Sequence, residues 1–344
     1  MLMSSLINSN QINFQARKKI LYQDAASVSM AKALGKKQLG IKEYTDFDSD
    51  SLEAINYINR GLVLAKNSLR NKIRTPNYID FAPLETARMS VKYNGGILTV
   101  NKNIYSHGGL TDEIVRMSKE MLKDEVLIEA ENEYLLNKNL SNEHSEEFLE
   151  FIKSEFCPDL SKLSYEQKLD LYYKLRAIYE QTSNLNRFPK DLIVKMFEAG
   201  CWGEFDDVDV EIFKEEIFSA PKEENFKTLF EFLKQFNCAD FDFDFDTFKY
   251  RVIFHELGHL QNLELYNQFD VDEFSSWEKY PKELKSWLNN KEYLKIAFSV
   301  SPYACFGKGE FIAECYSWLL EGKELPAKAL DLYKKFNGPK VVLR

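Results

Sequence analysis

The stretch 248–265 has the sequence FKYRVIFHELGHLQNLEL, and the residues at its centre, 255–259, are HELGH. Two histidines four positions apart, His255 and His259, lie on one face of a helix about one turn apart. Their imidazoles can bind one zinc ion, and the carboxylate of Glu256 can reach a water molecule there. The stretch therefore predicts a helix that binds a metal.

Three features of the stretch favour a helix. Phe248, Val252, His255, His259 and Leu263 recur at helical spacing, and the stretch contains no proline. Asp246 or Thr247 can cap its first turn. The glycine at position 258 costs roughly 1 kcal/mol of helix stability against alanine, and we expect it to admit the backbone of another element.

The composition sets limits on the class of protein. Hydrophobic residues make up 44% of the 344 residues and charged residues 29%, which is enough apolar material for a packed core. The net charge of −9 argues against a general nucleic-acid binder. The five cysteines are scattered, with no C-x-x-C pair, so we expect a reducing compartment and no disulfide framework.

The sequence contains no apolar run of eighteen residues, and its first residues do not resemble a signal peptide. We therefore expect no membrane span, no membrane partner and a cytoplasmic location, with release by lysis or a non-standard export route left open.

Upstream of the histidines, helical patterns alternate with one strand signal. Residues 8–72 are predicted to be helical, chiefly over 25–34 and 52–69. Residues 86–93 and 97–105 flank Asn94-Gly95-Gly96, which predicts a β-hairpin. This hairpin is either a small supporting sheet or an edge strand beside a cleft, where an extended peptide could pair.

The remaining segments complete the predicted organisation. Residues 110–237 are interpreted as an inserted helical subdomain, with helical periodicity over 113–136, 144–156, 164–180, 190–198 and 223–236. Residues 238–247 (CADFDFDFDT) are interpreted as an extended segment. A calcium loop is disfavoured there, because the Gly and the Glu that such a loop needs are missing. The predicted fold class is α+β and mostly helical. Its parts are N-terminal helices with the hairpin (1–109), the helical insertion (110–237) and the metal-binding helices (238–344).

A catalytic zinc site needs a third protein ligand. A downstream histidine in the metzincin position is excluded because Asn262 and Leu265 replace the required Gly and His, and His107 and His144 lack a ligand context. Glu310 and Glu314, in GEFIAE at 309–314, are one helical turn apart. One of them can bind the metal, and the other can accept a hydrogen bond from a ligand histidine.

Other interpretations of these carboxylates stay open. Glu264, Asp270 and Asp272 are weaker candidates for the third ligand. A pair of glutamates at this spacing is also typical of a solvated helix face.

The two motifs together resemble the zincin metallopeptidases that include the catalytic domain of anthrax toxin lethal factor and relatives in phages and bacterial toxins. That family has H-E-x-G-H and, some tens of residues later, a tyrosine followed after seven residues by E-F-x-A-E. HELGH at 255–259 and SPYACFGKGEFIAE at 301–314 match this pattern, with Tyr303 and Glu310 at the same separation. The resemblance covers about 60 to 80 of the 344 residues and does not extend to 1–240.

The resemblance implies a zincin-like catalytic domain with a defined set of site residues. His255, His259 and Glu310 are the implied zinc ligands, Glu256 the general base, and Tyr303 the hydroxyl that stabilises the oxyanion or protonates the leaving amine. Glu314 matches the outer carboxylate of the wider gluzincin class.

These observations lead us to expect a zinc-dependent endopeptidase that acts on a protein or peptide substrate. The alternatives are a non-catalytic zincin-like protein of a phage particle or assembly complex, and a toxin or effector protease with the same chemistry.

Overall fold

A computed structural model of the chain describes residues 20–48, 51–70, 72–84, 87–92, 96–121, 159–236, 248–262 and 281–343. Within these residues the protein is mostly helical with one small mixed sheet, which confirms the α+β class. No helix among the described residues is both long and apolar enough to cross a membrane.

The sheet has four strands in the order β1-β2-β4-β3, and their bounds are β1 Glu43–Thr45, β2 Tyr78–Ala82, β3 Met89–Lys92 and β4 Ile97–Asn101. The first three strands in this order are parallel to one another, and β3 pairs antiparallel with β4 at one edge. The predicted hairpin is therefore present as β3 and β4, with Asn94 and Gly95 of its turn outside the described residues.

The sheet also corrects the predictions. Strands β1 and β2 were not predicted, and β1 interrupts the segment 8–72 that was predicted to be helical. The second hairpin strand was predicted to reach residue 105 but ends at Asn101. The side chain of Asn101 accepts a hydrogen bond from the backbone N–H of Asn103 and caps a short helix, α3 (Lys102–Tyr105).

Two helices precede the hairpin, α1 (Val28–Leu39) and α2 (Leu52–Ser68), near the two predicted positions. The predicted helical block contributes five described helices, namely α4 His107–Met121, α5 Tyr165–Arg187, α6 Lys190–Glu198, α7 Asp207–Ser219 and α8 Asn225–Gln235. Helix α7 was not predicted. Its first residues alternate between acidic and apolar side chains, which is not a helical pattern. The helix predicted at 144–156 lies outside the described residues.

The C-terminal part of the chain provides five more described helices, namely α9 Arg251–Gln261, α10 Lys282–Leu288, α11 Lys291–Phe298, α12 Lys308–Glu321 and α13 Ala327–Lys335. Helix α9 is shorter than the predicted 248–265. Tyr250 is its N-cap and makes no side-chain capping bond, and the extended backbone of Asn262 ends it. The predicted caps Asp246 and Thr247, and the segment 238–247 that contains them, lie outside the described residues.

Two hydrophobic clusters form the core. The first combines α1, α2, the sheet, α4 and the start of α5 with the apolar face of α9. The second combines α6, α7 and α8 with the helices from α10 to α13. Helix α12 contributes to both clusters, with Phe311 and Ile312 in the second and Tyr316 and Leu320 in the first. The division into 1–109, 110–237 and 238–344 stays a prediction.

Candidate metal centre

Helix α9 is fixed at its start by contacts with α2. The hydroxyl of Tyr57 donates a hydrogen bond to the carbonyl of Lys249, and the ring of Tyr57 stacks on that of Tyr250. Gly61 faces Ile253 so closely that a Cβ there would lie 2.5 Å from its Cδ1 atom. These contacts place the first turn of α9 beside α2.

The other face of α9 packs on α12 through a glycine. A Cβ added at Gly258 would lie 2.9 Å from the Cα of Ala313 and 3.1 Å from the Cβ of Tyr316. Real Cβ atoms are not found that close to backbone, so only glycine permits this distance between the two helices. The prediction that Gly258 admits another backbone is confirmed, and the close approach brings Glu310 and Glu314 to the histidines.

Three side chains from the two helices converge. The Nε2 atoms of His255 and His259 lie 3.0 Å apart, and Oε2 of Glu310 lies 3.0 Å from the first and 3.3 Å from the second. Among the described residues these three form the group whose ligand atoms are suitably placed for a metal ion. Both histidines are buried, and Glu310 is half-buried.

The separations fit a zinc ion. Ligands at about 2.0–2.1 Å from a tetrahedral zinc lie about 3.3–3.4 Å from one another, close to the observed separations. Donor chemistry gives the same answer, because two imidazole nitrogens and a carboxylate oxygen are the His₂Glu set of catalytic zinc sites. Facing lone pairs at 3.0 Å repel one another unless a cation or a proton lies between them.

Glu314 orients the first of these histidines. Its Oε1 atom lies 2.7 Å from Nδ1 of His255, so the ring donates from Nδ1 and presents the Nε2 lone pair to the centre. Its Oε2 atom accepts hydrogen bonds from Arg251 and from the hydroxyl of Ser301, each at 2.9 Å. Glu310 thus faces both histidines at the centre, and Glu314 contacts the outer nitrogen of His255.

The sequence reasoning missed Arg251 and Ser301. Arg251 lies four residues before His255, on the same face of the helix, and this spacing is the one signal that could have pointed to it. Ser301 has no comparable signal, because the approach of its loop to α12 is a tertiary contact.

The electrostatics of these side chains, without a metal ion, favour a protonated His255 between carboxylates. Burial alone lowers the pKa of His255, but its hydrogen bonds with Glu310 and Glu314 outweigh burial and raise the pKa to about 10. Burial would raise the pKa of Glu310, but the histidines lower it to about 2. For Glu314, Arg251 and His255 outweigh burial and hold the pKa well below its usual range.

Glu256 lies beside the edge strand of the sheet. It is buried, and its carboxylate accepts a hydrogen bond from the backbone N–H of Val91 in β3. Burial raises the pKa of Glu256, and the electrostatic interaction with the two histidines offsets this only in part. A carboxylate with a raised pKa close to a metal centre is suited to accept and return a proton near neutral pH.

Tyr303 lies beside His255. Its ring centroid is 5.7 Å from that of His255, and the residue is 43% exposed. It belongs to the 3-10 turn Pro302–Phe306, which Ser301 caps through a hydrogen bond from the backbone N–H of Ala304. The negative charge of Glu310 raises the pKa of the Tyr303 phenol, so the phenol keeps its proton.

Of the remaining candidate ligands, His107 is the one that the structure describes, and it is not part of this group. His107 stacks on Tyr165 of α5, with ring centroids 6.5 Å apart. His144, Glu264, Asp270 and Asp272 lie outside the described residues.

Comparisons of the chain with protein-family models, with curated proteins and with solved structures found no match. The assignment of a function consequently rests on the geometry of the site and on the motifs.

Proposed function

We propose that this chain is a zinc-dependent endopeptidase of the zincin type. The observation that carries the proposal is the convergence of two imidazole Nε2 atoms and one carboxylate oxygen within 3.3 Å, beside a buried glutamate and a partly exposed tyrosine. His255, His259 and Glu310 would hold the zinc ion. When bound, zinc supplies a Lewis acid that polarises the scissile carbonyl and makes water nucleophilic near neutral pH.

Glu256 acts as the general base in this proposal. Burial raises the pKa of this carboxyl group, which makes the carboxylate a stronger base, and it takes a proton from the attacking water. The same carboxyl group then returns that proton to the leaving amine. The N–H of Val91 holds the carboxylate in position, and it lowers the pKa of the carboxyl group less than a full positive charge would.

Tyr303 acts as a hydrogen-bond donor. The carboxylate of Glu310 raises the pKa of its phenol, and the residue is partly exposed. A phenol in this place can donate to the oxyanion that forms as water adds to the peptide carbonyl.

Strand β3 provides a place for an extended substrate. Asn101 of β4 donates its N–H to the carbonyl of Arg88, so the alternation of an antiparallel pair directs the backbone groups of Met89 and Val91 away from β4. Since the Val91 N–H reaches Glu256, this edge of the sheet, with which no other described strand pairs, runs beside the proposed general base. A peptide added along this edge in extended form would pass beside Glu256, which favours an endopeptidase.

The proposal is tested by cleavage of a casein-type substrate with and without a chelator, using wild type, Glu256→Gln and Glu324→Gln. Glu324 is an exposed glutamate outside the site and serves as the matched control. We expect chelator-sensitive cleavage by wild type and the control. The Glu256→Gln variant should keep its zinc and lose activity by roughly 10²–10⁴-fold.

Two outcomes would contradict the proposal. Cleavage by Glu256→Gln at the wild-type rate would remove the general-base assignment. A wild type that binds zinc and cleaves no member of a broad substrate library would favour a non-catalytic zincin-like protein.

A further inference from the structure

The carboxylate of Glu314 joins α12 to two other parts of the chain, α9 and the loop before α12. One oxygen accepts a hydrogen bond from His255 of α9. The other oxygen accepts hydrogen bonds from Arg251 of α9 and from Ser301 of the loop. Glu314 itself is buried and stands one helical turn after the ligand Glu310. Its two oxygens therefore have different partners, and rotation of the carboxylate would break bonds on both sides.

Arg251 holds the carboxylate from the first turn of α9. Its guanidinium donates to Oε2 of Glu314 at 2.9 Å and lies over the ring of Trp318, 5.9 Å from the centroid. The side chain of Arg251 is 18% exposed, so water screens this ion pair only weakly. A buried carboxylate that lost this cation would lose its main electrostatic compensation, and its orientation toward His255 would no longer be fixed.

Ser301 connects the same carboxylate to the turn that contains Tyr303. Its hydroxyl has a single proton, which is donated to Oε2 of Glu314, and its oxygen accepts the N–H of Ala304. The support of His255 and the position of Tyr303 are thus linked through one hydroxyl group.

We propose that Arg251 and Ser301 are positioning residues of the metal centre, which act by fixing the carboxylate of Glu314 so that His255 presents Nε2 to the metal. This inference rests on the proposed function. It goes beyond that function because it assigns a role to two residues that would contact neither the metal ion nor the substrate. It differs from a purely structural role because it requires these residues to change metal affinity.

The test measures zinc affinity of the full-length protein by competition with a chromogenic chelator. The variants are Arg251→Ala, Arg251→Lys and Ser301→Ala. Two matched controls remove similar groups nearby: Lys249→Ala removes a cation that pairs with Glu166, and Ser299→Ala removes a hydroxyl that binds the carbonyl of Ile296. Unfolding of each zinc-free variant in urea is measured in parallel.

We expect Arg251→Ala and Ser301→Ala to weaken zinc binding by about tenfold, the lower end of the effect of losing a direct hydrogen-bond partner of a metal ligand. Arg251→Lys, which keeps the charge, should recover part of the loss, and both controls should stay within about twofold of wild type. Ser301→Ala removes only one hydroxyl, so it decides the matter if Arg251→Ala does not fold.

The outcomes separate the two proposals. If wild type binds zinc and both alanine variants bind it equally well, the positioning role is wrong and the proposed function stands. If wild type itself binds no zinc, the proposed function fails and this inference fails with it. Equal weakening in the two controls would also overturn the inference, because it would reveal a general loss of stability.

Discussion

At the scale of single residues, the main feature of the centre is that each ring nitrogen of His255 faces a carboxylate. Nδ1 faces Glu314 at 2.7 Å, and Nε2 faces Glu310 at 3.0 Å. In the protein without a metal ion, both contacts favour a doubly protonated ring. A metal ion and the Nε2 proton therefore compete for one position.

This competition predicts a pH dependence of zinc binding. The pKa of His255 is raised to about 10, so the metal-free ring carries an extra proton at neutral pH and must release it when zinc binds. Affinity should then rise with pH, by up to about tenfold per unit between about pH 7 and 9. Calorimetric titration in two buffers of different ionisation enthalpy measures the proton release.

Glu314→Gln is the comparison for this prediction. It removes one of the two carboxylates that raise the pKa of His255, so fewer protons should be released at neutral pH. An affinity that does not change with pH, with no proton passed to the buffer, would contradict the prediction.

Most residues of the centre could be predicted from sequence because their spacing is local. His255, Glu256 and His259 follow from one helical turn, and Glu310 and Glu314 from another. Only the fold decides which of the two glutamates faces both histidines. Arg251 shares a helix face with His255, but no local pattern indicates that Arg251 and Ser301 have Glu314 as a common partner, because these contacts form only in the fold.

At the scale of elements, the contact between α9 and α12 decides the geometry of the site. Gly258 lets the backbone of Ala313 approach to a distance that no other residue permits. The proposed ligands lie on either side of this contact, with the histidines on α9 and Glu310 on α12. A change in the distance between the helices therefore changes the distances within the metal centre.

The Gly258→Ala substitution tests this dependence. In an exposed helix such a change stabilises by up to about 1 kcal/mol, but here the added methyl group meets backbone at 2.9 Å. We expect a net loss of about 1–3 kcal/mol in the free energy of unfolding, measured in urea, together with weaker zinc binding.

Gly108→Ala in α4 is the matched control, because a Cβ there meets nothing within 4 Å. It should be neutral or slightly stabilising. If the Gly258 variant were as stable as this control, the close approach of the two helices would be wrong.

The four strands differ in whether a local sequence pattern predicts them. The β3–β4 hairpin could be predicted because its turn and both strands are adjacent in sequence. Strands β1 and β2 have only three and five residues, and their parallel partners are distant along the chain. Their pairing depends on the assembled sheet, which no local pattern of three residues encodes.

At the scale of the whole molecule, the metal centre lies between the two hydrophobic clusters. The apolar residues of α9 belong to the first cluster, and Phe311, next to Glu310, belongs to the second. A metal ion held by His255, His259 and Glu310 would join the two clusters directly. Binding should therefore stabilise the fold as a whole and not the site alone.

This arrangement predicts a large effect of metal removal on stability. At a zinc concentration about 100-fold above its dissociation constant, binding adds about 2.7 kcal/mol to the free energy of unfolding. Thermal unfolding with zinc and with excess chelator should show a clear difference in midpoint. In His259→Ala the two midpoints should coincide, whereas coinciding midpoints in wild type would contradict the prediction.

The convergence of His255, His259 and Glu310 on one metal ion is the central claim, and metal analysis of purified protein tests it most directly. Wild type and His255→Ala are equilibrated with zinc, freed of excess metal and compared by elemental analysis. The account predicts one zinc per chain in wild type and a large loss of zinc in His255→Ala. A wild type without zinc, or a variant with full zinc content, would contradict it.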